Sequence, residues 1–275
     1  MAALVAFASN SLLCRVALSS GAIDPASFTV CRVAAGATML LIVARAAGHR
    51  LVHQPGDWRS AAALVAYALA FSLAYVRLGA GIGALLLFGA VQLTIVGAAV
   101  AAGERAGRTE WVGLGLALAG LVYLVAPGFT APPVTASVLM VAAGIAWGVY
   151  TIRGRGIANP LLTTTGNFAR GVPLAVAASA GSALAIGGGV VLSPRGVMLA
   201  VVSGAVTSAL GYVAWYRALR GLTAMRAAVV QLAVPVLTAL AAAVLLGDRI
   251  TLRLALAGAL ILGGIALTIV SRRRR

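Results

Sequence analysis

Ala98-Ala99-Val100-Ala101-Ala102-Gly103-Glu104-Arg105 and Ala242-Ala243-Val244-Leu245-Leu246-Gly247-Asp248-Arg249 decide how this chain is read. Each closes an apolar run with glycine, an acid and arginine, and the second follows the first by 144 residues. At that offset Thr94 meets Thr238, Leu116 meets Leu260, Leu118 meets Leu262 and Gly120 meets Gly264, without gaps. An offset of 138 aligns the preceding segments, Arg15 with Arg153 and Arg32 with Arg170. The chain therefore reads as one unit used twice, with an expected division into residues 1–128 and 129–275.

What surrounds the motif fixes the solvent. Hydrophobic residues make up 62% of the chain and charged ones only 9%, against about 25% charged in a soluble domain. Most helical stretches are apolar all round, which places them in a bilayer. Apolar runs of the spanning length fall at about 2–18, 26–45, 60–77, 80–102, 111–126, 134–152, 161–186, 196–216, 224–246 and 252–270. Punctuation separates them, including Asp24-Pro25, Asn159-Pro160 and Ser193-Pro194. The expected fold is an all-α membrane protein of ten spans. Five spans per unit is odd, so the second copy enters the membrane upside down. Inverted repeats around a midplane site mark secondary carriers.

The basic excess does not point to nucleic acid. Lys is absent, and the arginines sit between apolar runs rather than along one polar face. Their placement gives an orientation. With both termini in the cytoplasm, Arg45, Arg50, Arg59, Arg105, Arg108, Arg153, Arg155, Arg217, Arg220, Arg226 and the tail Arg272 to Arg275 lie inside. Only Arg77, Arg195, Arg249 and Arg253 lie outside, as the positive-inside rule favours. The first run lacks a basic leader and reads as a retained helix. Cys14 and Cys31 fall in apolar spans and form no disulfide framework.

The repeat, the Gly-Glu/Asp-Arg turns, Trp147-Gly148 at the start of the second unit and Gln231-Leu-Ala-Val-Pro235 together resemble the EamA-type carriers of the drug/metabolite transporter superfamily. Leu87-Phe88-Gly89-Ala90-Val91-Gln92-Leu93-Thr94 is similar to the matching segment of the aromatic amino-acid exporter (YddG-like) branch. The first unit departs from the pattern, with Ser9-Asn10 where the second has Trp147-Gly148. The resemblance implies export of small metabolites across a bacterial inner membrane; no cofactor is expected.

Chemistry-bearing residues are few. All five acids, Asp24, Asp57, Glu104, Glu110 and Asp248, fall at turns, and His49 and His53 follow span two. No carboxylate or imidazole is expected at membrane depth, where a proton relay would need one. The expectation is a facilitator, the alternative being a proton-coupled carrier that works through arginines or loop acids. Pro55 and Gly56 break the helix that would align His49, His53 and Asp57 on a metal, so no metal site is expected. The same scarcity argues against an enzyme acting on lipid precursors. A scaffold that transports nothing is the other reading from outside transport.

Aromatic and amide residues on the interior spans outline a pocket for a partly apolar small molecule. The expected lining is Asn10, Tyr75, Phe88, Gln92, Trp147, Tyr150, Asn167, Tyr212, Trp215 and Gln231. Tyr67, Phe71 and Tyr75 share one helix face, as do Ser208, Tyr212 and Trp215. Pro173 and Pro235 are candidate hinges. Arg15, Arg32 and Arg170 fall within spans, at a cost; they are expected to bond helix-end carbonyls and lock the fold, the alternative being capture of a substrate carboxylate. Amino acids with large apolar side chains are the first substrate class, ahead of cationic or aromatic drugs. The expected assembly is a monomer or weak homodimer in the lipid bilayer.

Overall fold

The computed structural model describes residues 1–49, 55–103, 107–126, 128, 131–154, 157–186, 189–219 and 231–272. Their regular structure is helical, with no strand among them. The helices are α1 (Ala2–Ser19), α2 (Pro25–Ala46), α3 (Trp58–Tyr75), α4 (Ala80–Ala101), α5 (Arg108–Val125), α6 (Val134–Arg153) and α7 (Pro160–Ile186). Next comes α8, which starts as Pro194–Val202, widens into a π-helical stretch at Ser203–Leu210 and continues as Gly211–Leu219. Finally α9 (Ala233–Leu246) and α10 (Leu252–Arg272) close the chain. Among the described residues, six helices are long and apolar enough to cross a membrane: α1, α2, α4, α5, α6 and the α8 rod.

The punctuation seen in the sequence works as helix caps. Asp24 accepts from the Ser27 N–H at 2.9 Å, and Pro25 fills the first helical position. Asn159 and Pro160 do the same for α7, through the Leu162 N–H at 3.1 Å. Ser193 and Pro194 repeat the arrangement for α8, through the Gly196 N–H at 3.0 Å. Each side chain satisfies a backbone donor that the first turn leaves orphaned, and each proline sits where its missing N–H costs nothing.

The repeated turn motif has a local cause. Gly103 and Gly247 adopt φ of 91° and 69°, the left-handed conformation that ends a helix and suits glycine. The acid after Gly247 then reaches across: Asp248 Oδ2 accepts from the Ala80 N–H at 3.0 Å and caps α4. Glu104 and Arg105, the first copy's partners, lie outside the described residues, as does His53.

Helix neighbours follow a pattern. α3 and α4 pack on α6, while α8 and α9 pack on α1; α3 packs on α7, while α8 packs on α2. The pairs α2–α7, α4–α9 and α5–α10 also meet. Exchanging the first five helices for the last five maps these contacts onto one another. In the α5–α10 pair backbones nearly touch: a Cβ on Gly264 would lie 2.5 Å from the Gly113 carbonyl, the close approach small residues allow between membrane helices. The outer face of α5 exposes Trp111, Val112, Leu118 and Val122, as a lipid-facing surface should.

Candidate functional site

Between the two sets of helices lies a central cavity. Phe7, Asn10 and Ser11 of α1, Tyr67 and Phe71 of α3, Leu87 and Phe88 of α4, Trp147 of α6, Thr207, Ser208 and Tyr212 of α8, and Gln231 line it. One continuous set of rings forms its wall. Trp147 lies 4.9 Å from Tyr67, 5.0 Å from Tyr212 and 5.4 Å from Tyr150, centroid to centroid. Phe7 sits edge-on to Tyr212 at 6.0 Å and to Trp215 at 5.9 Å. The free volume is only about 20 Å³, room for about one water molecule. The cavity is thus contracted.

Its polar side is organised by the π-helical stretch. The wider turn brings Ser203, Thr207 and Ser208 to bear on α1 and α2. Asn10 Oδ1 accepts from Ser203 Oγ at 2.7 Å and from Thr207 Oγ1 at 3.2 Å, and Asn10 Nδ2 reaches Tyr67 Oη at 3.5 Å. π-Helical turns cluster at functional sites.

Arg32 is the residue the sequence assigned least well. It is 3% exposed. Its Nη2 donates to Tyr67 Oη at 2.8 Å and its Nε to Ser208 Oγ at 3.3 Å, both cavity-lining groups. The guanidinium lies 5.2 Å from the Tyr67 ring centre and 5.1 Å from that of Phe71, within cation–π range. Nη1 is buried with no hydrogen-bond partner, which costs about 1–3 kcal/mol and more for a charged donor. The Arg153–Asp57 ion pair lies elsewhere. Arg15 bonds helix-end carbonyls as the sequence suggests, those of Tyr75 and Val76 at 3.2 and 3.3 Å, whereas Arg170 donates to the Gly166 carbonyl one turn back on its own helix at 3.0 Å. Arg32 bonds no carbonyl, so the two repeat-related arginines have different settings.

Of the residues expected to line the pocket, Asn10, Phe88, Trp147, Tyr212 and Gln231 come together in the cavity wall. Tyr75 is fully buried behind Phe71, with its Oη donating to the Ala80 carbonyl at 3.3 Å. Gln92 is buried one turn beyond Phe88. Trp215 meets Phe7 edge-on, behind the residues that line the cavity. Tyr150 and Asn167 line a separate small cavity with Ser60. Phe7, Thr207 and Ser203 were not singled out by sequence; a hydroxyl spacing of four to five on span eight was the available signal. The proline positions differ too. α7 runs through Pro173 as one helix, whereas the backbone turns at Leu232, near Pro235, which has no N–H to offer the Gln231 carbonyl.

Both ends of the bundle are latched. At one end Arg153 Nη2 meets Asp57 Oδ1 at 2.8 Å and Arg153 Nε donates to Ser60 Oγ at 3.0 Å, while Asn167 Oδ1 accepts from the Asp57 N–H at 3.0 Å. This ties α3, α6 and α7. Partial burial works to raise the Asp57 carboxyl, but donors from Ser60 and the Arg153 guanidinium win and hold it at about 2. At the other end Asp24 Oδ2 accepts from the Val191 N–H at 3.0 Å, and Ile23 bridges Leu192. Burial would raise Asp24 as well; hydrogen bonds from Ser27, Val191 and Ala26 lower it below its ordinary value. A second opening of about 330 Å³, lined by Leu40, Val43, His49, Pro160 and Thr164, lies between α2 and α7, and Tyr212 borders both it and the central cavity.

Residues 134–270 match the model of the EamA-like transporter family, starting at the first residue of α6. The chain is also 50% identical to an uncharacterised protein of Pseudomonas aeruginosa, over 99% of this chain and 94% of that protein. It belongs to the EamA-like transporter family. An uncharacterised transporter of Archaeoglobus fulgidus is 27% identical over 75% of this EamA-like transporter and 74% of its own length. A solved crystal structure shares the fold, with a TM-score of 0.67 and 23% identity, over 99% of this chain and 97% of that one. This EamA-like chain is thus a multi-pass membrane transporter.

Proposed function

We propose that this chain is a ten-span carrier of a bacterial inner membrane that exports or equilibrates aromatic and other apolar amino acids by alternating access. Its two units, 1–128 and 129–275, are inverted five-helix repeats, with both termini cytoplasmic. The exchange pattern of helix neighbours supports the repeat. The observation that carries the function is the aromatic wall with one polar side, enclosed between the repeats and latched at both ends. Rings of this kind stack on an aromatic side chain, and a midplane site between repeats is what a carrier needs. In the contracted state the cavity has no room for an amino acid, so binding must widen it. Asn10, Phe88, Trp147, Tyr212 and Gln231 would touch the substrate; Leu232 and Pro235 would bend. No acid among the described residues reaches the cavity to act as a proton relay, which supports a facilitator. The same feature disfavours a cationic drug as substrate.

Counterflow in proteoliposomes tests this. Vesicles loaded with unlabelled tryptophan, phenylalanine, threonine or methyl viologen are followed for entry of labelled tryptophan, with and without a proton gradient. Saturable entry, strongest with the aromatic loads and indifferent to the gradient, is expected. Entry that needs the gradient would overturn the facilitator, and preference for methyl viologen would favour a drug carrier.

A further inference from the structure

We propose that the Arg32 guanidinium is the carboxylate receptor of the central cavity. The ligand it takes is an aromatic carboxylate, whose α-ammonium group, where present, adds nothing to binding. This rests on the cavity being the substrate site, but not on how the substrate moves. Arg32 is buried beyond the reach of water, and two of its three nitrogens are held by Tyr67 and Ser208, which line the cavity. The third, Nη1, has no partner. A guanidinium offers paired donors that match a carboxylate, and it does not deprotonate. No acid among the described residues neutralises it. Asp24, at the start of the same helix, is eight residues away, about 12 Å along the axis. Asp57 pairs with Arg153, Glu110 accepts from the Gly107 N–H and Asp248 from the Ala80 N–H. An uncompensated cation in a membrane interior is expensive, and a ligand anion would supply the missing charge beside rings suited to an aromatic group. For an ammonium the described cavity lining offers no matching carboxylate, which is why the charge of the ligand should decide.

The test is equilibrium binding to the full chain purified in chloride-free detergent buffer, read by calorimetry. The probes are 3-phenylpropionate, L-phenylalanine, phenethylamine and sodium chloride. The expected result is that 3-phenylpropionate binds at least as tightly as L-phenylalanine and about tenfold or more tighter than phenethylamine, as loss of a charged hydrogen bond predicts. Arg32→Gln should weaken 3-phenylpropionate by about the same factor, and Arg32→Lys should keep part of the affinity. Equal or tighter binding of phenethylamine would overturn the proposal. So would a folded Arg32→Gln protein with wild-type affinity, or chloride that displaces 3-phenylpropionate at equal affinity, which would make this an inorganic-anion site. If Arg32→Gln does not fold, Arg32→Lys and the ligand series on the wild type decide. Counterflow separates this from the transport reading. Tryptophan flux untouched by Arg32→Gln sinks the receptor and leaves the carrier; Arg32-dependent binding without flux does the reverse.

Discussion

At the scale of single residues, the local rules were readable and the long-range ones were not. Asp24, Asn159 and Ser193 announce helix starts because a cap needs only its own next three residues. Arg32 could not be separated from Arg170 in the sequence, since what each meets depends on which helices pack around it. Asp57 combines both kinds of contact, capping α3 and pairing with Arg153. Asp57→Asn should keep the cap and lose only the pair, at about 1 kcal/mol or less for so exposed a pair. Asp57→Ala should lose the cap too, at about 1 kcal/mol more. Because the folded carboxyl titrates below its ordinary value of 3.8, at about 2, its contribution is complete at neutral pH and fades as pH falls from about 4 towards 2. Thermal unfolding in detergent across that range should show the wild type losing its advantage over Asp57→Asn. A constant gap would refute the assignment.

At the scale of elements, nine of the expected spans have helices lying within a few residues of them, because length and apolarity are enough to place them. The ninth span is described only from Gln231 onward. What periodicity missed is the change of winding in α8, since a π-helical stretch carries no punctuation of its own. That stretch approaches α2 most closely at Gly204, where an added Cβ would meet the Arg32 backbone. Gly204→Ala should therefore push α8 off α2, costing about 1–3 kcal/mol as overpacking does. It should also loosen the Ser208 contact to Arg32. Unfolding measurements and 3-phenylpropionate binding on one preparation check both; an unchanged midpoint would mean the helices are not in close contact there. Tyr150 and Asn167 show another limit of helix patterns. A pattern gives the face but not the depth, and Tyr150 lies three residues beyond Trp147, about 4.5 Å along α6, where it meets Asn167 instead of the cavity.

At the scale of the whole molecule, the apolar runs and the family-like motifs were enough for a multi-pass membrane transporter, and the aromatic spans for a ring-lined cavity. The contraction of that pocket and the double latch were not, because they depend on the conformation. The unmatched charge of Arg32 has a consequence for energy. An arginine keeps its charge, and no acid among the described residues crosses with the substrate. An aromatic anion would then move as net negative charge, and voltage alone would drive it. Across a membrane negative inside, each 100 mV is worth about 2.3 kcal/mol per charge, or roughly a fifty-fold outward gradient. A potassium diffusion potential set with valinomycin should speed 3-phenylpropionate efflux when the lumen is negative and slow it when the sign is reversed. Zwitterionic phenylalanine should respond to neither. The carrier would then be an electrical exporter for acids and a passive leak for amino acids, through one and the same site.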